Sequence, residues 1–171
     1  MMFYHSTLRG RVLSIPDGVG GIHATLRAMR EIVETAKVDP NMRARVASLL
    51  LLTPEKDSLA EVRKIFEYVR DRIRYLSDVA GIETIADPEK TIEMASGDCD
   101  DKSVLLATML EVAGFPTRFI ATGYSTPGVF EHVYVAAMMP DGSFLPLDSS
   151  EPVPPGWEAS DPVTYFAEGV P

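Results

Sequence analysis

Up to Gly114 the apolar residues recur at steps of three and four, and beyond it at steps of two, so the sequence changes period once. Ile22, Leu26, Met29, Val33 and Ala36 share one face of a helix expected over residues 22–37. Asp39-Pro40-Asn41 interrupts it, and Met42, Val46, Leu49 and Leu50 form a second stripe that ends before Thr53-Pro54. Ser58 with Glu61 reads as a capping box opening a helix with Leu59, Val62, Ile65, Phe66, Val69 and Ile73 inward. Its other face, Glu61, Arg63, Lys64, Glu67, Arg70, Asp71 and Arg72, is expected to be solvated. Asp87-Pro88 reads as an N-cap followed by Pro at the first helical position, predicting a short helix over 88–95. Val104, Leu105, Thr108, Met109 and Val112 mark a further helix, which Gly114 and Pro116 stop. Residues 3–15 are expected to form an edge strand, with a break at Pro16-Asp17-Gly18 that Gly20-Gly21 prolongs.

Strands are expected at 117–124, 131–139 and 143–148. Met139-Pro140-Asp141-Gly142 suits a type I turn with a bulge, which makes the last two strands an antiparallel hairpin. Paired residue numbers are then expected to sum to about 280, give or take one. His132 falls opposite Asp148, Tyr134 opposite Pro146 and Ala136 opposite Phe144, with Val133–Leu147 and Val135–Leu145 on the other face. Side chains directly opposed lie ~5 Å apart at Cβ, and a slip of one residue sends the pair to opposite faces.

The length of 171 residues fits a single domain able to bury a core, divided into an N-terminal strand and helical extension (1–57), a core (58–152) and a Pro-rich tail (153–171). A net charge of −9 argues against a nucleic-acid partner. A single cysteine leaves no internal disulfide and no multi-cysteine zinc site. The N-terminus lacks a basic region followed by an apolar run, and no run approaches the roughly 20 apolar residues of a membrane span. The expectation is a cytoplasmic protein with no membrane partner, its thiol kept reduced.

That cysteine, Cys99, lies in Gly97-Asp98-Cys99-Asp100-Asp101-Lys102-Ser103, where the helix of 104–112 begins. Free N–H groups and the dipole make a helix start the place where a thiol most readily ionises. Taken alone, a free cysteine is ordinarily a small buried hydrophobe. Downstream, however, come His132 in Glu131-His132-Val133-Tyr134-Val135 and Asp148 in Leu145-Pro146-Leu147-Asp148, so nucleophile, base and orienting acid are all present. Asp98, Asp100 and Asp101 oppose a thiolate. The His132 pair is expected to prevail, with these carboxylates turned to helix N–H groups, Lys102 or solvent.

The run from Gly97 to Ser103 with Leu105-Leu106 and Gly114-Phe115-Pro116-Thr117-Arg118 resembles the nucleophile segment of the transglutaminase-like superfamily. Glu131–Val135 resembles its histidine strand, and Asp141-Gly142 with Leu147-Asp148-Ser149-Ser150 its aspartate strand. The resemblance covers roughly residues 58–152. It implies a papain-like α+β fold, with N-terminal helices and a cysteine helix packed on an antiparallel β-sheet. It also implies Cys99 as nucleophile, His132 as base and Asp148 as orienting acid in acyl transfer on an amide. Small bacterial and phage members resemble proteases or amide hydrolases more than protein cross-linkers. The substrate class implied is a peptide or protein, and no cofactor or metal is implied.

The backbone N–H of Cys99 is the natural first oxyanion donor. Relatives add an upstream Gln or Trp; this chain has no Gln, and its one Trp, Trp157, lies downstream. Tyr75 is the first substitute and Tyr134 the second, each otherwise a core tyrosine. Trp157 is expected to pin the tail or line a cleft wall. His5 and His23 are expected at the surface or on a helix face, and the eight Met as core filler. A binding or assembly module with this fold and a metal-dependent hydrolase are the alternative functions.

Overall fold

The computed structural model describes residues 5–7, 10–13, 19–77 and 83–169. The expected turn at 16–18 and parts of the expected 3–15 strand lie outside these residues. So do the last two residues of the tail. In chain order the elements are β1 (His5–Thr7), β2 (Gly10–Leu13), α1 (Val19–Ala36), α2 (Pro40–Leu50), α3 (Ser58–Arg72), β3 (Arg74–Tyr75), β4 (Glu83–Ala86) and α4 (Pro88–Met94). There follow β5 (Ser96–Gly97), α5 (Cys99–Val112), β6 (Thr117–Gly123), β7 (His132–Met138), β8 (Phe144–Leu147) and β9 (Thr164–Ala167).

Helix α5 is the hub. Asp100 through Leu110 are all buried, so this helix is enclosed on every side rather than on one stripe. It packs against α1, α2, α3, α4 and an antiparallel sheet of order β8-β7-β6-β9. The sheet's alternation sorts its residues. Phe119, Ala121, Val133, Val135, Ala137 and Leu147 join the helices in the main core. Ile120, Tyr134 and Ala136, with Phe144 and Ala167, form a small cluster on the other face. Two lesser sheets, β1-β2-β4 and the parallel pair β3-β5, complete the fold.

Several boundaries differ from expectation for local reasons. Helix α1 begins at Val19 and includes Gly20 and Gly21, since packing overrides glycine's weak propensity. Asp39-Pro40-Asn41 is itself the start of α2, Asp39 accepting from the Asn41 N–H at 2.7 Å. The cap of α3 is Asp57, which accepts from the Ala60 N–H at 3.0 Å, and Ser58 is already helical. Leu59 is 46% exposed, because the inward stripe is covered only from Val62 onward. Arg70 is not merely solvated: it grips Asp71 and donates to the Val153 carbonyl at 3.0 Å, holding the tail to α3. The tail also supplies β9, antiparallel to β6, which its proline-rich run concealed.

The Pro140-Asp141-Gly142 turn forms as expected, with Gly142 at φ 82 and the Met139 N–H donating to the Ser143 carbonyl at 2.8 Å. The register differs. Val135 pairs with Leu147 and Ala136 with Pro146, two residues from the expected pairing, because the bulge residue Gly142 belongs to the loop. An even shift preserves faces, so His132 and Asp148 still share one.

Candidate active site

The first turn of α5 is held by its own sequence. Asp98 is the N-cap, its Oδ1 accepting from the N–H groups of Asp100 at 3.0 Å and Asp101 at 3.1 Å. Asp101 reaches back to accept from the Ala86 N–H at 2.8 Å, at the end of β4. This close approach requires Gly97: a Cβ there would stand 2.6 Å from the Asp101 Cβ.

The docking of α5 on β7 places the thiol. Strand β8 makes its last pairing with Val135, so Val133 lies beyond that ladder and α5 takes its backbone. The Ser103 hydroxyl donates to the Val133 carbonyl at 3.2 Å, and the Val133 N–H is directed at the Cys99 sulfur. Cys99 thus contacts the residue next to His132. On that histidine, Nε2 lies 2.8 Å from Asp148 Oδ2. The carboxylate only accepts, so Nε2 carries the proton and Nδ1 of the neutral ring is left as a base. The other Asp148 oxygen accepts from the Ser150 N–H at 3.0 Å. Asp148 is buried, whereas the ring is a fifth exposed, at 20%.

The expected balance at the thiol is reversed. Burial pushes the Cys99 thiol up first, and the charges of Asp100 and Asp98 push it further, outweighing the Val133 N–H. Asp98 and Asp101 turn to N–H groups as anticipated, but Asp100 does not: its Oδ1 lies 3.6 Å from the sulfur and accepts the S–H. Among the described residues, the thiol's side-chain hydrogen bond goes to Asp100 and not to the His132 ring.

Tyr75 pairs with Gly97 in the β3–β5 ladder, two residues before Cys99. Its phenol is pushed up by burial and by the charges of Cys99, Asp98 and Asp100, against a hydrogen bond with Ser77. Tyr134 lies otherwise. Its ring stacks on His132 at 6.0 Å between centroids and 23° between planes, and its hydroxyl donates to Glu158 Oε1 at 2.5 Å. Burial and then Glu158 hold that phenol protonated. Trp157, 37% exposed, sits next to Glu158 on the segment that leads from β8 to β9. That segment is tied down by the Gly156 N–H, which donates to the Pro146 carbonyl at 2.8 Å.

Glu158 carries no sequence signal of its role, because it lies 24 residues from Tyr134. Of the two remaining histidines, His23 stands edge-on to Phe166 at 4.5 Å, and nothing of the His5 side chain is described. A groove of about 970 Å³ between α2 and α4, lined by Met42, Arg45 and Glu89, includes none of Cys99, His132 and Asp148. Among the described residues no group of three or more His, Cys, Asp or Glu is arranged to hold a metal ion, and no helix is long and apolar enough to cross a membrane.

No curated protein matches the sequence. Several solved chains share the fold, two of them as follows. One, from Parabacteroides distasonis ATCC 8503 and named a putative protease, aligns with 77% of this chain and 26% of its own at a TM-score of 0.60 and 16% identity. The other, named a putative cysteine protease from Cytophaga hutchinsonii, aligns with 76% of this chain and 50% of its own at a TM-score of 0.52 and 14% identity. The chain therefore spans between about a quarter and a half of the length of these structures. The family model described as the transglutaminase-like superfamily matches residues 47–149, and with more than half of its length so matched the chain belongs to that superfamily.

Proposed function

We propose that this domain performs thiol-dependent acyl transfer on an amide of a peptide or protein, with hydrolysis as the outcome when water is the acceptor. Cys99 is the nucleophile, His132 the base and Asp148 the orienting acid. The observation that carries the reading is the 2.8 Å His132–Asp148 contact through Nε2, which leaves Nδ1 as the proton acceptor on a ring whose neighbour Val133 touches the thiol.

In the reaction Nδ1 takes the S–H proton while the sulfur attacks the carbonyl carbon. The tetrahedral oxyanion is met by the Cys99 N–H and the Tyr75 hydroxyl. The C–N bond then breaks, the imidazolium gives its proton to the departing amine, and a thioester remains on Cys99. Water or an amine, deprotonated by His132, resolves it. The names of the two structural neighbours support a protease-type outcome.

A second reading, a binding or assembly module, is favoured by one observation: the resting thiol is held protonated and donates to Asp100. Iodoacetamide labelling of the wild type and of His132→Ala, followed by hydrolysis of a peptide library, separates the two. The enzyme reading expects labelling that slows sharply without the imidazole, together with cleaved peptides. Equal slow labelling in both proteins, with no cleavage, rejects it in favour of the module. The metal-dependent alternative expects zinc to protect the thiol, and it gains nothing from the described side-chain clusters.

A further inference from the structure

Lys102 is 2% exposed, although lysine is almost never fully buried without a partner. Its Nζ donates to the Ile73 carbonyl at 2.6 Å and reaches the Arg70 carbonyl at 3.5 Å, at the C-terminal end of α3. A cation there satisfies carbonyls that the helix leaves open and meets the negative end of its dipole. The next residue, Ser103, is the one that binds the Val133 carbonyl beside His132, so Lys102 lies in the turn of α5 that docks at the site. The carboxylates whose charges favour the ammonium are Asp148 and, from α3, Asp71. Arg70 already grips Asp71 through two bonds, at 2.7 and 3.0 Å. Asp148 is 3% exposed, and beyond His132 its described hydrogen-bond partner is a single backbone N–H. A buried carboxylate is stabilised by a counter-charge near it.

We propose that Lys102 is a positioning residue of this site: its ammonium clamps the end of α3, and with it the Tyr75 strand, to the first turn of α5, and it is the counter-charge of Asp148, the acid that orients His132. The proposal rests on the acyl-transfer reading of Cys99, His132 and Asp148. Burial lowers the ammonium to about 8, while Asp148 and Asp71 resist the fall. The charges that act on it are those of Asp148, beyond β8, and Asp71 of α3, and the Arg70 carbonyl it reaches belongs to the residue that grips Asp71.

The test is a titration of the Lys102 Cε resonance in the full chain labelled with carbon-13 lysine. Asp148→Asn keeps an acceptor for Nε2 but removes the charge, so the Lys102 midpoint moves down by about half a unit or more. An unmoved midpoint overturns the counter-charge. In the second arm, Lys102→Met slows iodoacetamide alkylation of Cys99 at neutral pH by about threefold or more, and Lys102→Arg restores it. Equal losses in both variants mean packing alone and overturn the proposal. If Lys102→Met does not fold, the titration decides. Failure of the acyl-transfer reading shows separately, as wild-type alkylation unaffected by His132→Ala while the Lys102 midpoint still follows Asp148.

Discussion

Replacing Asp100 with Asn removes the charge nearest the Cys99 sulfur and keeps the side chain's shape. The carboxylate oxygen lies 3.6 Å from the sulfur and Asp100 is 8% exposed. Unit charges at that separation interact by about 1 kcal/mol at the dielectric of water and by about 4–5 kcal/mol at the effective value for proteins. A buried but not dry position lies between, at about 2–3 kcal/mol, or roughly two pKa units. Burial, the leading cause of the raised thiol, is untouched by the substitution, so the thiol stays above the ordinary cysteine range. Roughly two units downward give about a hundredfold more thiolate at neutral pH. A thiolate of lower basicity is a weaker nucleophile, which offsets about half of that gain on a logarithmic scale. Asp100→Asn is therefore expected to react with iodoacetamide about tenfold faster than the wild type. The assay follows the second-order rate by mass spectrometry at neutral pH, with thermal melting as a control on folding. An unchanged or slower rate in a folded variant refutes the electrostatic account of the thiol.

Other outcomes follow from the same geometry. Asp148→Ala lowers the rate of Cys99 acylation by about 10²–10⁴-fold, whereas Asp148→Asn, whose carbonyl still accepts from Nε2, falls between; stopped-flow acylation by an activated ester ranks the three. Gly97→Ala forces a Cβ to within 2.6 Å of the Asp101 Cβ and costs about 1–3 kcal/mol, read as a fall in urea midpoint. Arg30 bridges Glu111 and Glu168, joining α1, α5 and the end of β9, and its side chain is 12% exposed. Arg30→Met leaves two half-buried carboxylates without it, Glu111 keeping Lys37, and costs about 1–3 kcal/mol by chemical denaturation. Burial opposes ionisation of Glu111, but Lys37, Thr117 and Arg30 together hold it below its ordinary 4.5. Because the folded value is the lower one, its contribution is present above 4.5 and is lost as pH falls through the folded value, so wild-type stability declines on acidification there and declines less in Arg30→Met.

The helical half of the fold was legible because burial stripes survive in sequence: Leu26, Met29, Val33, Val62, Ile65, Phe66 and Val69 are all in the core. The His132–Asp148 contact was legible for a different reason. Parity along a strand outlives an error of two in register, so the two side chains share a face although they are not directly opposed. Long-range placement was not legible. Thr164–Ala167 reads as part of a tail until β6 is there to pair with it. The two-residue ladder between Arg74-Tyr75 and Ser96-Gly97 leaves no periodic trace at all. The direction of Asp100 and the burial of Lys102 depend on where α3 and β7 lie against α5, which the local run Asp98–Ser103 does not encode.

The proposed chemistry requires Cys99 and His132 to work as one chemical unit. Its most direct test is a burst experiment with a p-nitrophenyl ester, in which released p-nitrophenolate is counted against enzyme and the acyl group is mapped by mass spectrometry. The expected result is one equivalent of acyl group on Cys99 in the wild type and its loss from the burst in His132→Ala. A burst of equal size and rate in His132→Ala, or no acyl group on Cys99 in the wild type, contradicts it.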